Sequence, residues 1–323
     1  MKFGYTLMCE QAGPAQLVRD AVAAEQAGYD FAVISDHYFP WLEEQGHAPF
    51  AWSVLGAVAQ ATDRLPLMTF VTCPTRRYHP ALVAQMSATM ALLAPGRFAL
   101  GLGAGENLNE HVVGGEWPAV DERHDMLEEA AGIIRALWTG DEITWRGMHF
   151  DVVKARVFDV PKTPPPLGIA VSGPSSCRIA GEHADVMIAV EPNEALCDAY
   201  DAAGGAGKPR YGQQPMSYDV DRQAAITRAH EQFRWFGAGW SVNAELPGPA
   251  AFDAASQFVR PEDVAAAMPC GDDVEAVIKS VQPWANAGFT RLALLQIGER
   301  AQDGYLEWSA RELLPALRAA FPE

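Results

Sequence analysis

The chain predicts an α/β fold, a (β/α)8 barrel with insertions, on three observations. Strand-like and helix-like segments alternate from end to end, with roughly eight strands in all. No G-x-G-x-x-G follows the first strand, which counts against a doubly wound dinucleotide-binding sheet. Reactive side chains gather just after the strands, where barrel enzymes place their chemistry. A length of 323 residues fits one large barrel or two ordinary domains. The reading is a single domain over 1–323, with a β-hairpin insertion around 141–166 and an irregular insertion around 237–260.

Lys2–Met8 is the first strand. Pro14–Ala27 follows as a helix, because Leu17, Val18, Val22 and Ala23 share a face and Gly28 stops it. Asp30–Ser35 holds the apolar run of the second strand. Phe50–Ala61 is helical and Leu65–Val71 is the third strand. Ala81–Leu93 is helical, punctuated by Pro95-Gly96. Phe98–Gly103 is the fourth strand and Glu122–Trp138 a long helix. The pattern then changes: Glu142–Phe158 alternates apolar and polar residues around Arg146-Gly147, as a β-hairpin does, and Pro161–Pro166 closes it. Leu167–Val171 is the fifth strand, with a helix from Ser175 to His183. Val186–Val190 and Gln213–Tyr218 are the sixth and seventh, and Arg222–Phe236 is helical. Gly237–Arg260 is broken by Gly and Pro and reads as irregular. Helices at Pro261–Ala267 and Asp273–Ala287 lead to the eighth strand, Arg291–Gln296, and a closing helix, Gly304–Ala320.

Bulk properties exclude several function classes. A formal net charge of −17 repels nucleic acid and anionic membranes, so neither is expected as a partner. The five cysteines are scattered and form no C-x-x-C pair. That pattern reads as reduced thiols in the cytoplasm, not a disulfide frame or a zinc site. The eight histidines show neither H-x-H nor H-E-x-x-H, and no metal is expected. No leader-like segment precedes the first strand, and no apolar run approaches membrane-spanning length.

The strand ends carry the chemistry. The second delivers Asp36 and His37, with Trp41 just beyond. A histidine trades protons near neutral pH, and an adjacent acid can orient it or tune its charge. The competing reading is a turn with an aspartate N-cap. The fourth strand ends in Gly101-Leu102-Gly103-Ala104-Gly105-Glu106, followed by Asn109. Glycines let backbone approach a flat ligand, and Glu106 sets a carboxylate at the rim. After the fifth strand, Ser172-Gly173-Pro174-Ser175-Ser176 opens a helix. It is either an anion cradle at a helix N-terminus or an ordinary serine cap with a first-turn proline.

These residues resemble a known family. Ser35-Asp36-His37 with Pro40-Trp41, Gly46-His47-Ala48-Pro49-Phe50, and Gly105-Glu106 with Leu108-Asn109-Glu110 are similar to motifs of the luciferase-like superfamily of flavin and deazaflavin TIM barrels. Ala94-Pro95-Gly96-Arg97-Phe98 and Trp138-Thr139-Gly140 fit as well. Within the superfamily the chain resembles the coenzyme F420-dependent glucose-6-phosphate dehydrogenase family, over nearly its whole length. The resemblance implies a cytoplasmic homodimer that passes a hydride between F420 and a hydroxyl-bearing (CH–OH) carbon. It implies His37 as general base, Trp41 as stabiliser of developing charge, Glu106 at the ring nitrogen and Glu10 as a buried acid near the base. On the cofactor side it implies Asp36, Asn109, a cis Phe70–Val71 peptide, the Ala104-Gly105 backbone, and the Ser172-Gly173 phosphate loop with Ser175 and Ser176. An FMN-dependent monooxygenase on the same barrel is the enzymatic alternative, and a non-catalytic deazaflavin carrier the non-enzymatic one.

One departure sets the substrate expectation. Where sugar-phosphate enzymes of the family place basic residues, this chain has Glu191-Pro192-Asn193-Glu194, Asn243-Ala244-Glu245-Leu246 and Asp263-Val264-Ala265-Ala266-Ala267. Acids and alanines disfavour a phosphate dianion. The expectation is therefore an unphosphorylated alcohol or sugar, with a sugar 6-phosphate as the alternative. A phosphate would need a cation from elsewhere, and Arg76, Lys208 and Arg291 are the candidates.

Overall fold

The computed structural model describes residues 1–322. Eight parallel strands close a barrel in the order β1-β10-β9-β8-β7-β4-β3-β2. They are β1 (Lys2–Leu7), β2 (Phe31–Ile34), β3 (Leu67–Thr69), β4 (Phe98–Leu102), β7 (Leu167–Ala170), β8 (Val186–Ala189), β9 (Arg210–Met216) and β10 (Arg291–Gln296). Each lies at or beside one of the eight runs read from the sequence. The strands are short and apolar because both faces are covered; β2 is buried at all four positions. Phe31, Val33, Met68, Val186 and Ile188 pack against one another as a plug inside the barrel, so the interior is a core rather than a channel. Helices cover the outside. The Val120–Leu137 helix buries Met126, Leu127, Ala130, Ile134 and Leu137 at helical spacing, each worth about 1–3 kcal/mol of burial according to its size.

β4 pairs directly with β7. The chain between them is extruded, and β5 (Ile143–Arg146) and β6 (Asp151–Ala155) pair antiparallel outside the barrel. Glu129 of the long helix anchors this hairpin. It accepts from the Trp145 indole and from the backbone N–H groups of Met148, His149 and Phe150.

The late region is more ordered than its glycines and prolines suggest. The Arg222–Phe233 helix tightens into a 3-10 turn over Arg234–Ala238. Trp240–Asn243 and Pro249–Ser256 are helical within the stretch read as irregular. These pieces are too short to show a period. They build a second core in which Phe233 and Phe252 meet Trp41, Leu108 and Leu295 from the strand ends. Glu194–Tyr200 is a further helix absent from the sequence reading, although Asn193 caps it by accepting from the Ala195 and Leu196 N–H groups. No helix among the described residues is long and apolar enough to cross a membrane.

Candidate active site

A cavity of about 330 Å³ lies at the C-terminal end of the barrel, under the second core. His37 reaches it from the loop after β2 and is nine-tenths buried. Its Nδ1 stands 2.7 Å from Glu10 Oε1, and its Nε2 stands 3.6 Å from Glu106 Oε2. Glu10 comes from the Cys9–Gln11 turn after β1, and its other oxygen accepts the Ser35 hydroxyl at 2.6 Å. Glu106 precedes the short Asn107–Glu110 helix after β4. Three separate strand ends thus build one line of acid, base and acid.

Burial and charge set the protonation of that line. Burial alone would push the His37 pKa down, but the two facing carboxylates overcome it and raise it to about 9. Burial would raise Glu10; the His37 charge and the hydrogen bonds from His37 and Ser35 hold it below its ordinary value. Glu106 is raised to about 7, first by burial and then by Glu10 and Glu110, against the pull of His37. Burial and charge thus favour the carboxylate at Glu10 and the imidazolium at His37, and make Glu106 easier to protonate than an ordinary glutamate.

Trp41 packs edge-on to the His37 ring at 4.9 Å between centroids and stacks on Trp235 at 4.0 Å. Asn109 ties the loop to the acid. Its Oδ1 accepts from the Tyr38 and Phe39 N–H groups and its Nδ2 donates to Glu106 Oε2 at 3.2 Å. The Asn109 amide is therefore engaged by protein, although the residue also lines the cavity.

Asp36 goes elsewhere. It lies on the cavity wall, but its carboxylate accepts from Thr72, Trp52, Tyr78 and Arg77 and does not touch the imidazole. The acid that orients His37 is Glu10, 27 positions upstream in sequence, not the adjacent aspartate.

The floor is apolar. Phe70, Val71, Gly103, Ala104 and Gly105 line it, and the Phe70–Val71 peptide is cis. The glycine run answers mainly to protein neighbours. A Cβ on Gly101 would meet the Thr69 carbonyl at 2.1 Å, and one on Gly103 would meet Val71 at 2.6 Å. These glycines let β4 lie close to the end of β3, where the sequence reading assigned them to a flat ligand. Ser172 and Ser176 line the cavity, while Gly173 and Ser175 stand outside its wall. The N-cap is Gly173 rather than a serine; Ser176, in the helix's first turn, reaches back and its hydroxyl accepts from the Ser172 and Gly173 N–H groups.

Other residues on the wall were not among the candidate site residues read from the sequence. Arg123, His124, Trp235 and Asn243 line the cavity and each has a buried polar atom without a protein partner. Arg123 did offer a clue: a basic residue in the first turn of a helix opposes the macrodipole. Of the positions expected around a phosphate, Glu191, Asn243 and Ala244 line the cavity. Glu245 pairs with Arg123 at 2.7 Å, and the Ala265–Ala267 run stands off the wall. The three cations offered for a phosphate lie elsewhere. Arg76 binds the Gly114 carbonyl, Lys208 the Gly181 and Ala184 carbonyls, and Arg291 stacks on Tyr211 at the start of its strand.

Residues 1–291 match the family described as luciferase-like monooxygenase. The chain belongs to the luciferase-like family. Within it, the chain is similar to the F420-dependent glucose-6-phosphate dehydrogenase of Nocardia farcinica, at 36% identity over 99% of this chain and 98% of that protein. The enzyme of the same name from Beutenbergia cavernae is 37% identical over 99% of this chain and 98% of its own. Among solved structures, an F420-dependent secondary alcohol dehydrogenase in complex with an F420–acetone adduct superposes with a TM-score of 0.89. It is 28% identical, with 98% of this chain and 99% of that one covered. The F420-dependent tetrahydromethanopterin reductase of Methanopyrus kandleri shares the luciferase-like fold, with a TM-score of 0.77 at 21% identity and 98% and 99% coverage.

Proposed function

We propose that this luciferase-like barrel is an F420-dependent dehydrogenase that moves a hydride to or from the carbinol carbon of a sugar or alcohol. The Glu10–His37–Glu106 line at the cavity carries the reading. The cavity suits the cofactor on its own terms: Phe70, Val71, Gly103 and Ala104 give a flat apolar strip, with Glu106 and Asn109 at its edge. Such a strip fits a planar ring that needs polar contact along one side. The named relatives at this level of identity are all F420 enzymes, so FMN is set aside.

Bound F420 supplies the two-electron hydride acceptor and, when reduced, the donor. The protein handles the protons. Glu10 holds Nδ1 of His37, which leaves Nε2 facing the cavity as the atom that takes the hydroxyl proton in oxidation or gives one to a carbonyl oxygen in reduction. Glu106, raised to about 7, carries an exchangeable proton beside it. Trp41 fixes the imidazole plane and, with Trp235, keeps water from it.

A phosphorylated sugar replaces the unphosphorylated substrate expected from the sequence. The support is twofold. Relatives 34–37% identical over nearly the whole chain are glucose-6-phosphate dehydrogenases by name. The cavity also has a buried guanidinium, Arg123, where the sequence suggested only acids and alanines. The test is the loss of oxidised-F420 absorbance with glucose 6-phosphate, glucose and a panel of secondary alcohols. Highest kcat/KM on the phosphate is expected; turnover of simple alcohols alone would move the assignment to the alcohol-dehydrogenase side, and no turnover of any would sink it.

A further inference from the structure

β2 ends at Ile34, and the next three side chains part to two sides. Asp36 turns to Thr72, Trp52, Arg77 and Tyr78. Ser35 and His37, two positions apart, both turn to Glu10. A spacing of two is that of one face of an extended chain.

The Ser35 hydroxyl is doubly engaged. Its oxygen accepts the Cys9 N–H at 2.9 Å, and its proton goes to Glu10 Oε2 at 2.6 Å. The partners fix this direction, since an amide N–H only donates and a carboxylate only accepts. Cys9 opens the Cys9–Gln11 turn that carries Glu10. One hydroxyl therefore holds both the backbone and the head group of that turn. Glu10 is 1% exposed, and among the described residues Ser35 and His37 are the two side chains that meet its carboxylate. The ionisable surroundings are few. Glu106 faces the far nitrogen of His37, with Arg77 and Glu110 close by. Asp36 is tied to Arg77, burial keeps the Cys9 thiol protonated, and His47 donates its backbone N–H to the Glu10 carbonyl at 3.0 Å.

These contacts bear on which nitrogen of His37 holds the proton. A base at the cavity needs Nε2 bare, so the neutral imidazole must carry its proton on Nδ1, toward Glu10. That tautomer requires Glu10 as an anion. Once the imidazole is neutral, the buried carboxylate has lost its counter-charge, and burial favours uptake of a proton. A protonated Glu10 would donate to Nδ1 and leave the imidazole proton on Nε2, which could then accept nothing. The Ser35 hydroxyl still donates to the carboxylate at the stage when His37 carries no charge.

We propose that Ser35 is a positioning residue: its hydrogen bond to Glu10 Oε2 keeps that carboxylate an acceptor for His37 Nδ1–H, so that Nε2 faces the cavity unprotonated. The use of Nε2 in proton transfer rests on the F420 dehydrogenase reading; the tautomer does not.

Ser35→Ala removes the donor and Ser35→Thr keeps it. The ring nitrogens of His37 are followed by 15N NMR across pH in the full chain without added F420, with His37→Gln assigning the signals. Wild type and Ser35→Thr are expected to show the Nδ1–H tautomer once the imidazole is neutral. Ser35→Ala is expected to show a large share of the Nε2–H form and to lose its proton about one unit higher in pH, the scale of one charge-assisted hydrogen bond. In turnover, kcat for oxidation should fall about tenfold at neutral pH with KM nearly unchanged, and Ser35→Thr should restore it. An Nε2–H tautomer in wild type overturns the proposal with no variant needed, which covers a Ser35→Ala protein that does not fold. A Ser35→Ala protein whose tautomer and titration match wild type, or whose titration moves down, overturns it equally. No turnover with F420 alongside the expected spectra would defeat the functional reading and leave the role of Ser35 in the tautomer standing.

Discussion

Asp36 and His37 are adjacent in sequence and belong to two different buried networks. Asp36 joins Arg77 and Glu110, with Trp52, Thr72 and Tyr78 filling the remaining oxygen sites. His37 joins Glu10 and Glu106. Each network holds two carboxylates and one base. The difference lies in the base. An arginine does not release its proton at any working pH, so the cation of the first network is fixed in charge. A histidine does, so the second can pass a proton on. The first set braces the cavity wall, and the second is the one proposed to move protons there. A buried ion pair beside an active site is therefore no sign of catalysis until one of its members can titrate.

Removing His37 is the strongest test of that contrast. His37→Ala is expected to lower turnover by about 10²–10⁴, the range for loss of a general base, with F420 affinity nearly unchanged. Wild-type turnover in this variant would reverse the roles of the two networks. Arg77→Met probes the other side. It leaves Asp36 and Glu110 buried without their cation, which costs about 3–5 kcal/mol of stability. The urea midpoint should fall while the pH profile of the remaining activity keeps its shape. A stable Arg77→Met protein with a displaced pH profile would show that the networks are coupled.

Glu106→Gln lies between these two in kind. The amide can keep the link to Asn109 and cannot carry the acid proton. A drop in the single-turnover hydride-transfer rate of about 10²-fold is expected, with little change in substrate affinity. A change confined to KM would place Glu106 on the substrate instead.

The barrel was legible because its strands are buried on both faces and read as plain apolar runs, as Phe31–Ile34 does. The reactive ends were legible because strand order puts them at one end of the barrel. Three parts were not. The Trp240–Asn243 and Pro249–Ser256 helices are single or double turns, below the length at which periodicity appears. The partnership of His37 with Glu10 joins two different strands; sequence adjacency pointed to Asp36, and only the family resemblance set Glu10 near the base. Arg123 was not among the candidate residues read from the sequence. Its place in the first turn, against the dipole, was the readable exception.

The mildest variant reads the catalytic line directly. His37 is held at about 9 by Glu10 first and Glu106 second. In the direction of oxidation His37 must be neutral to accept the hydroxyl proton, so kcat/KM should rise as pH climbs through about 9. In the direction of carbonyl reduction it must be charged, so kcat/KM should fall over the same interval. Glu10→Gln removes the nearer anion while leaving an oxygen for the Ser35 hydroxyl. The imidazolium then loses its main stabiliser and burial pulls its pKa down. Both limbs are expected to move to lower pH together, with modest change in the maximal rates. The measurement is a pair of pH–kcat/KM profiles, one for each direction, on wild type and variant. Limbs that stay near 9 in Glu10→Gln would mean that the titrating group is not His37, and the line of acid, base and acid would have to be redrawn around another proton carrier.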